Sequence, residues 1–215
     1  MPVISVSKES SSAEHIQVAD GFVPLAVCDE IVGAVDPAAL QDATIGGQVD
    51  KNVRNVLIHD ASPVSLQLNN TLQRIVDELI EPYYGVQIDY WESPALLIYP
   101  PGGFFLPHND DEDVVYDEER DTFSWRRSMD RDISVVWYLN QDFEGGELYF
   151  SKFDRWIRPA TGMVVTFPSW HDYAHTAKPV TRGMRYVVAT WMAAVGTDRV
   201  RPTPPPRLLN RAWQQ

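Results

Sequence analysis

Beyond Gly85 the chain breaks into short runs of β-branched and aromatic residues, and no other feature restricts its fold as strongly. Val86–Tyr90, Ala95–Tyr99, Ile133–Leu139, Glu147–Phe150, Met163–Phe167 and Arg185–Met192 each have the length and composition of a strand. Turn formers punctuate them: Pro100-Pro101-Gly102-Gly103, Asn140, Gly145-Gly146, Thr161-Gly162 and Arg182-Gly183. Many short strands after a helical region predict a sandwich or jelly roll braced by N-terminal helices. The expected fold class is therefore mainly β with N-terminal helices, the jelly-roll core starting at about residue 86.

Two helices are expected ahead of that core. One covers about Leu25 to Val35. The other starts near Ser65, carries Leu68, Leu72, Ile75, Val76, Leu79 and Ile80 at helical spacing, and stops at Pro82. Both stripes read as core packing without chemistry. Residues 5–14 are polar and Ser-rich, so 1–14 is expected to be a loose N-terminal segment. Beyond Gly196 the chain carries Pro202, Pro204, Pro205 and Pro206 among Arg199, Arg201, Arg207 and Arg211, which suits an extended arm and not a core strand. The organisation that follows is one domain over 15–196 and a Pro/Arg-rich C-terminal tail over 197–215.

A chain of 215 residues buries roughly 70% of its unfolded surface, enough for a core without disulfides or a structural metal. Cys28 is the sole cysteine, which excludes an internal disulfide and fits a reducing, cytoplasmic setting. The start shows no basic segment followed by a long apolar run. No stretch reaches the roughly 18 consecutive apolar residues of a membrane span. A formal charge of −12 argues against nucleic acid, because phosphate binding needs clustered Lys and Arg. Neither nucleic acid nor membrane is expected as a partner, and the sequence sets no oligomeric state.

The histidines are His15, His59, His108, His171 and His175. His108-Asn109-Asp110 places an imidazole and a carboxylate two positions apart, and on an extended segment such positions project to one face. By itself the tripeptide is as well explained by a surface ion pair or a capped turn. A distant histidine from His171-Asp172-Tyr173-Ala174-His175 would complete two nitrogens and one oxygen, the facial set of iron(II) enzymes that activate dioxygen. His171 and His175 are both available for that place. Their spacing also matches a helical zinc site, but the Glu of His-Glu-x-x-His is missing and Pro168 opposes a helix. Ser169, His171 and Asp172 do not make a hydrolase triad, since such close neighbours cannot assemble the relay and no Gly-x-Ser-x-Gly elbow is present. His15 and His59 read as structural or surface residues.

The surroundings of these residues carry a family pattern. Tyr99-Pro-Pro-Gly102-Gly-Phe104-Phe105-Leu-Pro-His108-Asn-Asp110 is followed by Arg131-Asp-Ile-Ser134-Val-Val-Trp-Tyr138-Leu139-Asn140 and Gly145-Gly146-Glu147-Leu148. Phe167-Pro168-Ser169 then precedes His175, and Pro179-Val180 leads to Gly183-Met-Arg185-Tyr186 and Trp191. Over roughly Leu97 to Trp191 the chain resembles the 2-oxoglutarate/iron(II) oxygenases of the prolyl-4-hydroxylase type. The resemblance implies a double-stranded β-helix (jelly roll) core. It also implies an Fe(II)- and 2-oxoglutarate-dependent dioxygenase that hydroxylates an aliphatic carbon and releases succinate and CO2. His108, Asp110 and His175 match the iron ligands; His175 is favoured over His171 because its intervals from Ser169 and to Arg185 fit the family. Arg185 matches the basic residue that holds the far carboxylate of 2-oxoglutarate, a task suited to a planar, permanently charged guanidinium. Tyr99 and Tyr138 match positions whose hydroxyls bond the co-substrate. O2 is the other reactant implied, with ascorbate as an accessory reductant. Related halogenases carry a small residue in place of the carboxylate, so Asp110 points to hydroxylation and not chlorination.

Strand periodicity agrees with these roles. Ser134, Val136 and Tyr138 should share one face of their strand, and Arg185, Val187, Ala189 and Trp191 one face of theirs. An inward-facing cation is costly unless an anion meets it, and the dicarboxylate would be that partner. Between Asp110 and Arg131 lies an insert with Asp111, Glu112, Asp113, Tyr116, Asp117, Glu118, Glu119, Asp121, Phe123 and Trp125. It is expected to close over the substrate, with Arg126 or Arg127 meeting a substrate carboxylate; a solvated acidic loop would have the same composition. In a single domain without a visible peptide-binding extension, the expected substrate is a small molecule or free amino acid rather than a protein. The alternatives are a peptidyl-prolyl hydroxylase and a jelly-roll binding module without turnover.

Overall fold

The structure, a computed structural model, describes residues 15–200 and 209–210. The loose segment expected over 1–14, and the tail expected over 197–215 apart from 197–200 and 209–210, lie outside the described residues. Strand β1 (Gln17–Ala19), helix α1 (Leu25–Gly33), the short strands β2 (Gln41–Asp42), β3 (Arg54–Asn55) and β4 (Leu57–His59), and helix α2 (Ser65–Ile75) come first. The helical path does not stop at Pro82. A π-helical turn over Val76–Ile80 and a last α-helical turn over Glu81–Tyr84 carry it to Gly85, whose φ of 67° is left-handed. Proline lacks an amide hydrogen and crowds the carbonyl four residues back. The wider π turn just before Pro82 accommodates both faults, and Pro82 occupies the first turn of the closing segment, where no amide is needed.

The core follows as β5 (Ile88–Trp91), β6 (Ala95–Tyr99), β7 (Phe104–His108), β8 (Glu112–Asp117), β9 (Thr122–Arg127), β10 (Ile133–Tyr138), β11 (Glu144–Gly145), β12 (Leu148–Phe150), β13 (Arg155–Ile157), β14 (Val164–Pro168), β15 (His175–Ala177), β16 (Val180–Arg182) and β17 (Arg185–Ala194). A last strand, β18 (Leu209–Asn210), returns antiparallel to β5. The larger sheet runs β1-β14-β10-β17-β6-β4-β2, with β5 also on β17, and the smaller runs β13-β12-β15-β7-β3. Neighbours in both sheets come from distant parts of the chain and pair antiparallel, which is the expected double-stranded β-helix with helices ahead of it.

The larger sheet is buried on both faces. Ile133, Val135 and Trp137 of β10 share a core with Cys28 and Ile31 of α1 and with Leu68, Leu72 and Ile75 of α2. Val136 and Tyr138, the alternate residues, instead pack with Leu148 and Phe150 of the smaller sheet. Burying a large apolar side chain contributes about 1.5–3 kcal/mol, so the helices hold the sheet firmly from behind. The period of two then presents the other half of each strand to the space between the sheets. Among the described residues no helix is long and apolar enough to cross a membrane.

Candidate active site

Strand β7 ends at His108, and β15 begins at His175 directly opposite it in the smaller sheet. Asp110 follows two residues after His108, so three ligand-type side chains from two adjacent strands converge. One ligand atom from each of His108, Asp110 and His175 lies within 4.8 Å of the others. The Nδ1 atoms of His108 and His175 face the carbonyls of Leu106 and Tyr173, at 2.8 and 3.1 Å. A carbonyl only accepts, so Nδ1 carries the hydrogen in each ring and Nε2 offers a lone pair. Those Nε2 atoms lie 3.8 and 3.9 Å from Asp110 Oδ1 and Oδ2 respectively. Burial, and then the neighbouring His175, hold the His108 imidazole well below its ordinary pKa and keep it neutral. Burial would raise the Asp110 carboxyl, but the two imidazoles and the Ser134 hydroxyl more than offset this and keep it ionised.

Arg185 opens β17 and is 2% exposed. Its Nη1 donates to the carbonyl of Gly146, its guanidinium stacks on Tyr99, and its Nε has no partner. Among the described residues no carboxylate pairs with it. A buried cation in that state is costly unless an anion completes it. Gly146 lets the turn pass this close: its φ is 69°, and a Cβ there would sit 3.3 Å from Arg185 Cδ and 3.1 Å from Val180 Cγ2. Burial pushes the Tyr138 phenol up to about 12 against the opposing charge of Arg185, so it remains a hydrogen-bond donor at neutral pH.

His108, Asp110, His175, Arg185, Tyr99 and Tyr138 all line one cavity of about 710 Å³, together with Leu97, Val136, Val187 and Ala189. The donor set fits iron(II), since two imidazoles and one carboxylate on one side leave open positions on the other. The unpartnered Arg185 Nε fits a dicarboxylate.

His171 stays outside this cluster. Its Nδ1 lies 2.6 Å from Glu112 Oε2, and its ring stacks on Trp125 at 5.4 Å. The insert is a hairpin, not a loop: β8 and β9 pair only with each other, Val114 opposite Trp125 and Tyr116 opposite Phe123. These four side chains share one exposed face, and Val114 and Trp125 reach the cavity. Arg127 is not free to meet a substrate carboxylate, because its guanidinium donates to Asp132 at 2.9 Å and to the Met129 carbonyl at 2.9 Å.

Two groups escaped the sequence reading, and a third entered it without its partner. Arg54 on β3 lines the cavity over Phe105, 4.8 Å from its ring centre. Glu92 holds Arg131 through two bonds of 2.6 and 2.7 Å, and Arg131 lies 3.8 Å over Trp191 while donating to the Asp110 carbonyl. Ser169 bonds Ser134. Arg54 and Glu92 belong to no local motif, and nothing in the Phe167-Pro168-Ser169 run shows that Ser169 meets Ser134.

Residues 94–193 match the 2OG-Fe(II) oxygenase superfamily. The chain therefore carries a domain of that superfamily over those residues, which include all six site residues. It is a 2-oxoglutarate-dependent dioxygenase, with Fe(II), 2-oxoglutarate and O2 as the cofactor and co-substrates of its family. A candidate prolyl 4-hydroxylase of Acanthamoeba polyphaga mimivirus is 25% identical over 173 residues, spanning 76% of this chain and 68% of that protein. Prolyl 3-hydroxylase 2 of Rattus norvegicus is 42% identical over 66 residues, which are 28% of this chain and only 9% of that much longer protein. The viral collagen prolyl hydroxylase of Paramecium Bursaria Chlorella virus-1, solved with 2OG, superposes with a TM-score of 0.61 at 19% identity, covering 85% of this oxygenase and 97% of that chain. A Trichoplax adhaerens prolyl hydroxylase, solved with a hypoxia inducible factor peptide fragment, gives 0.61 at 17% identity, covering 83% of each chain. These likenesses support the jelly-roll fold. They also overturn the expectation of a small-molecule or free amino-acid substrate, since the named relatives are prolyl hydroxylases and one holds a peptide. That expectation rested on the lack of a visible peptide-binding extension; the acidic insert after Asp110 folds as a hairpin whose Val114 and Trp125 line the cavity.

Proposed function

We propose that this oxygenase hydroxylates a prolyl residue within a polypeptide, using His108, Asp110 and His175 as the iron ligands and Arg185, Tyr99 and Tyr138 to hold 2-oxoglutarate. The catalytic unit is the domain over 15–196. Bound iron(II), 2-oxoglutarate and O2 supply the oxidation, in which a substrate C–H becomes C–OH and 2-oxoglutarate leaves as succinate and CO2. The protein's part is placement. The two Nε2 atoms and the Asp110 carboxylate present ligands from one side of the cavity. Arg185 offers unsatisfied donors to the far carboxylate, and Tyr138 adds a phenol that stays protonated. Leu97, Val136, Val187 and Ala189 form an apolar wall that keeps water from the reacting carbon.

The observation that carries this reading is the buried, unpaired Arg185 in the same cavity as the His-Asp-His cluster. The exposed aromatic hairpin beside the cavity favours a chain over a small molecule. The test is iron- and 2-oxoglutarate-dependent succinate release over proline-containing peptides and free amino acids, with products weighed for one added oxygen. Turnover of proline-containing peptides is expected; turnover confined to free amino acids would refute the substrate class.

A further inference from the structure

Asp110 is fixed at more points than a His-x-Asp pair requires. Its amide donates to the Ser169 carbonyl at 2.9 Å, and its own carbonyl accepts from Arg131 Nη1 at 3.1 Å. With the main chain held on both sides, only the carboxylate can turn. Ser134 holds that group by donating its hydroxyl to Oδ2 at 2.6 Å, the short range of charge-assisted bonds. A serine hydroxyl has one proton, and that of Ser134 is committed. The 2.8 Å contact between the two serine hydroxyls is therefore donated by Ser169. Both serines are 1% exposed, so water does not compete. The result is a directed relay from Ser169 to Ser134 to Asp110 Oδ2.

We propose that this relay sets the denticity of Asp110, occupying Oδ2 so that Oδ1 alone binds the metal. The inference rests on the reading of His108, Asp110 and His175 as ligands. Without the relay the two oxygens are nearly equivalent, since Oδ1 is 3.8 Å from His108 Nε2 and Oδ2 is 3.9 Å from His175 Nε2. A carboxylate bound through both would close one of the positions that a chelating keto acid and dioxygen must share. Ser134 and Ser169 are positioning residues in this scheme; they act through the Asp110 carboxylate.

The test uses the full-length protein loaded with Mn(II), whose bound, exchangeable waters are counted by proton relaxivity. Ser134→Ala is expected to fall from about three such waters toward about two as the second oxygen binds. Ser134→Thr keeps the hydroxyl and is expected to retain the wild-type count. Ser169→Ala, which cuts the relay one step back, is expected to shift in the same direction by less, and it serves if Ser134→Ala does not fold. A wild-type water count in a folded Ser134→Ala protein, or in Ser169→Ala if it stands in, overturns the proposal. If the wild type itself takes up no Mn(II), the ligand assignment fails instead, and the two failures are distinct.

Discussion

The guanidinium carbon of Arg185 lies 3.6 Å from the centre of the Tyr99 ring, and the two residues oppose each other across β17 and β6. The stack fixes the plane in which the guanidinium presents its donors, something an ammonium cannot reproduce. Charge-assisted bonds of this kind contribute about 1.5–3 kcal/mol. Arg185→Lys is therefore expected to raise the KM for 2-oxoglutarate by roughly 10- to 100-fold, and Tyr99→Ala to do more harm than Tyr99→Phe. Initial rates of succinate formation against 2-oxoglutarate decide it; an unchanged KM in the lysine variant would remove Arg185 from this role.

Asp110→Ala and His175→Ala should each reduce iron-dependent succinate formation to background, while His171→Ala retains it. The contrast follows from geometry, because His171 faces Glu112 and Trp125 and not the cluster. Anaerobic mixing with iron(II) and 2-oxoglutarate gives a second readout, a visible charge-transfer band expected in wild type and His171→Ala only. A full loss on removing His171 would exchange the roles of the two histidines.

The hairpin face formed by Val114, Tyr116, Phe123 and Trp125 leads out of the cavity, and Phe123 is 74% exposed. Exposed aromatic patches of this kind mark contact surfaces. Replacing Tyr116, Phe123 and Trp125 together by Ala is expected to raise the KM for a peptide substrate about tenfold, with a smaller change in kcat. Equal KM values for variant and wild type would leave the hairpin without a part in recognition.

Burial raises the Cys28 thiol from its ordinary value to about 11. The folded protein thus keeps a proton that the unfolded chain releases, and stability contributed by this group is present below the unfolded pKa and lost as pH rises from about 9 to 11. Thermal melts of wild type should fall more steeply over that window than those of Cys28→Ala, and native Cys28 should resist thiol reagents at pH 8 until the protein unfolds. Parallel melting curves would show that Cys28 does not titrate in this way.

Leu72 is fully buried where α2 meets the larger sheet. Truncation to Ala should cost about 2–5 kcal/mol, the usual range for a cavity in a closed core. Denaturant melts measure the loss, and metal binding by the folded fraction should persist because the cluster lies on the opposite face of the sheet.

Much of the core was legible because its strands alternate. Ala95–Tyr99 reads as a strand from composition and is β6, and Arg185–Met192 is β17 short of its last two residues. His108, Asp110 and His175 stood out because a His-x-Asp pair and its distant partner sit in recognisable surroundings. The hairpin did not, since its strands pair only with each other and leave Tyr116, Phe123 and Trp125 in solvent, so nothing marks one face as core. Pro82 misled in the other direction: a π turn is not visible in composition, yet it is what carries the helix on to Tyr84. Arg54, Glu92 and Ser169 are ordinary residues in sequence, and only register gives them neighbours in the cavity wall or around Asp110.

The hairpin's aromatic half is separable from the chemistry. Its root is clamped where Glu112 opposes Arg127, with Glu112 and Trp125 on His171 and Arg127 on Asp132, while the strands beyond pair only with each other. That stretch could drift or be exchanged wholesale without disturbing the ligands behind it. If the finger reads the substrate as predicted, changes confined to it would alter the client while the palm stays as it is.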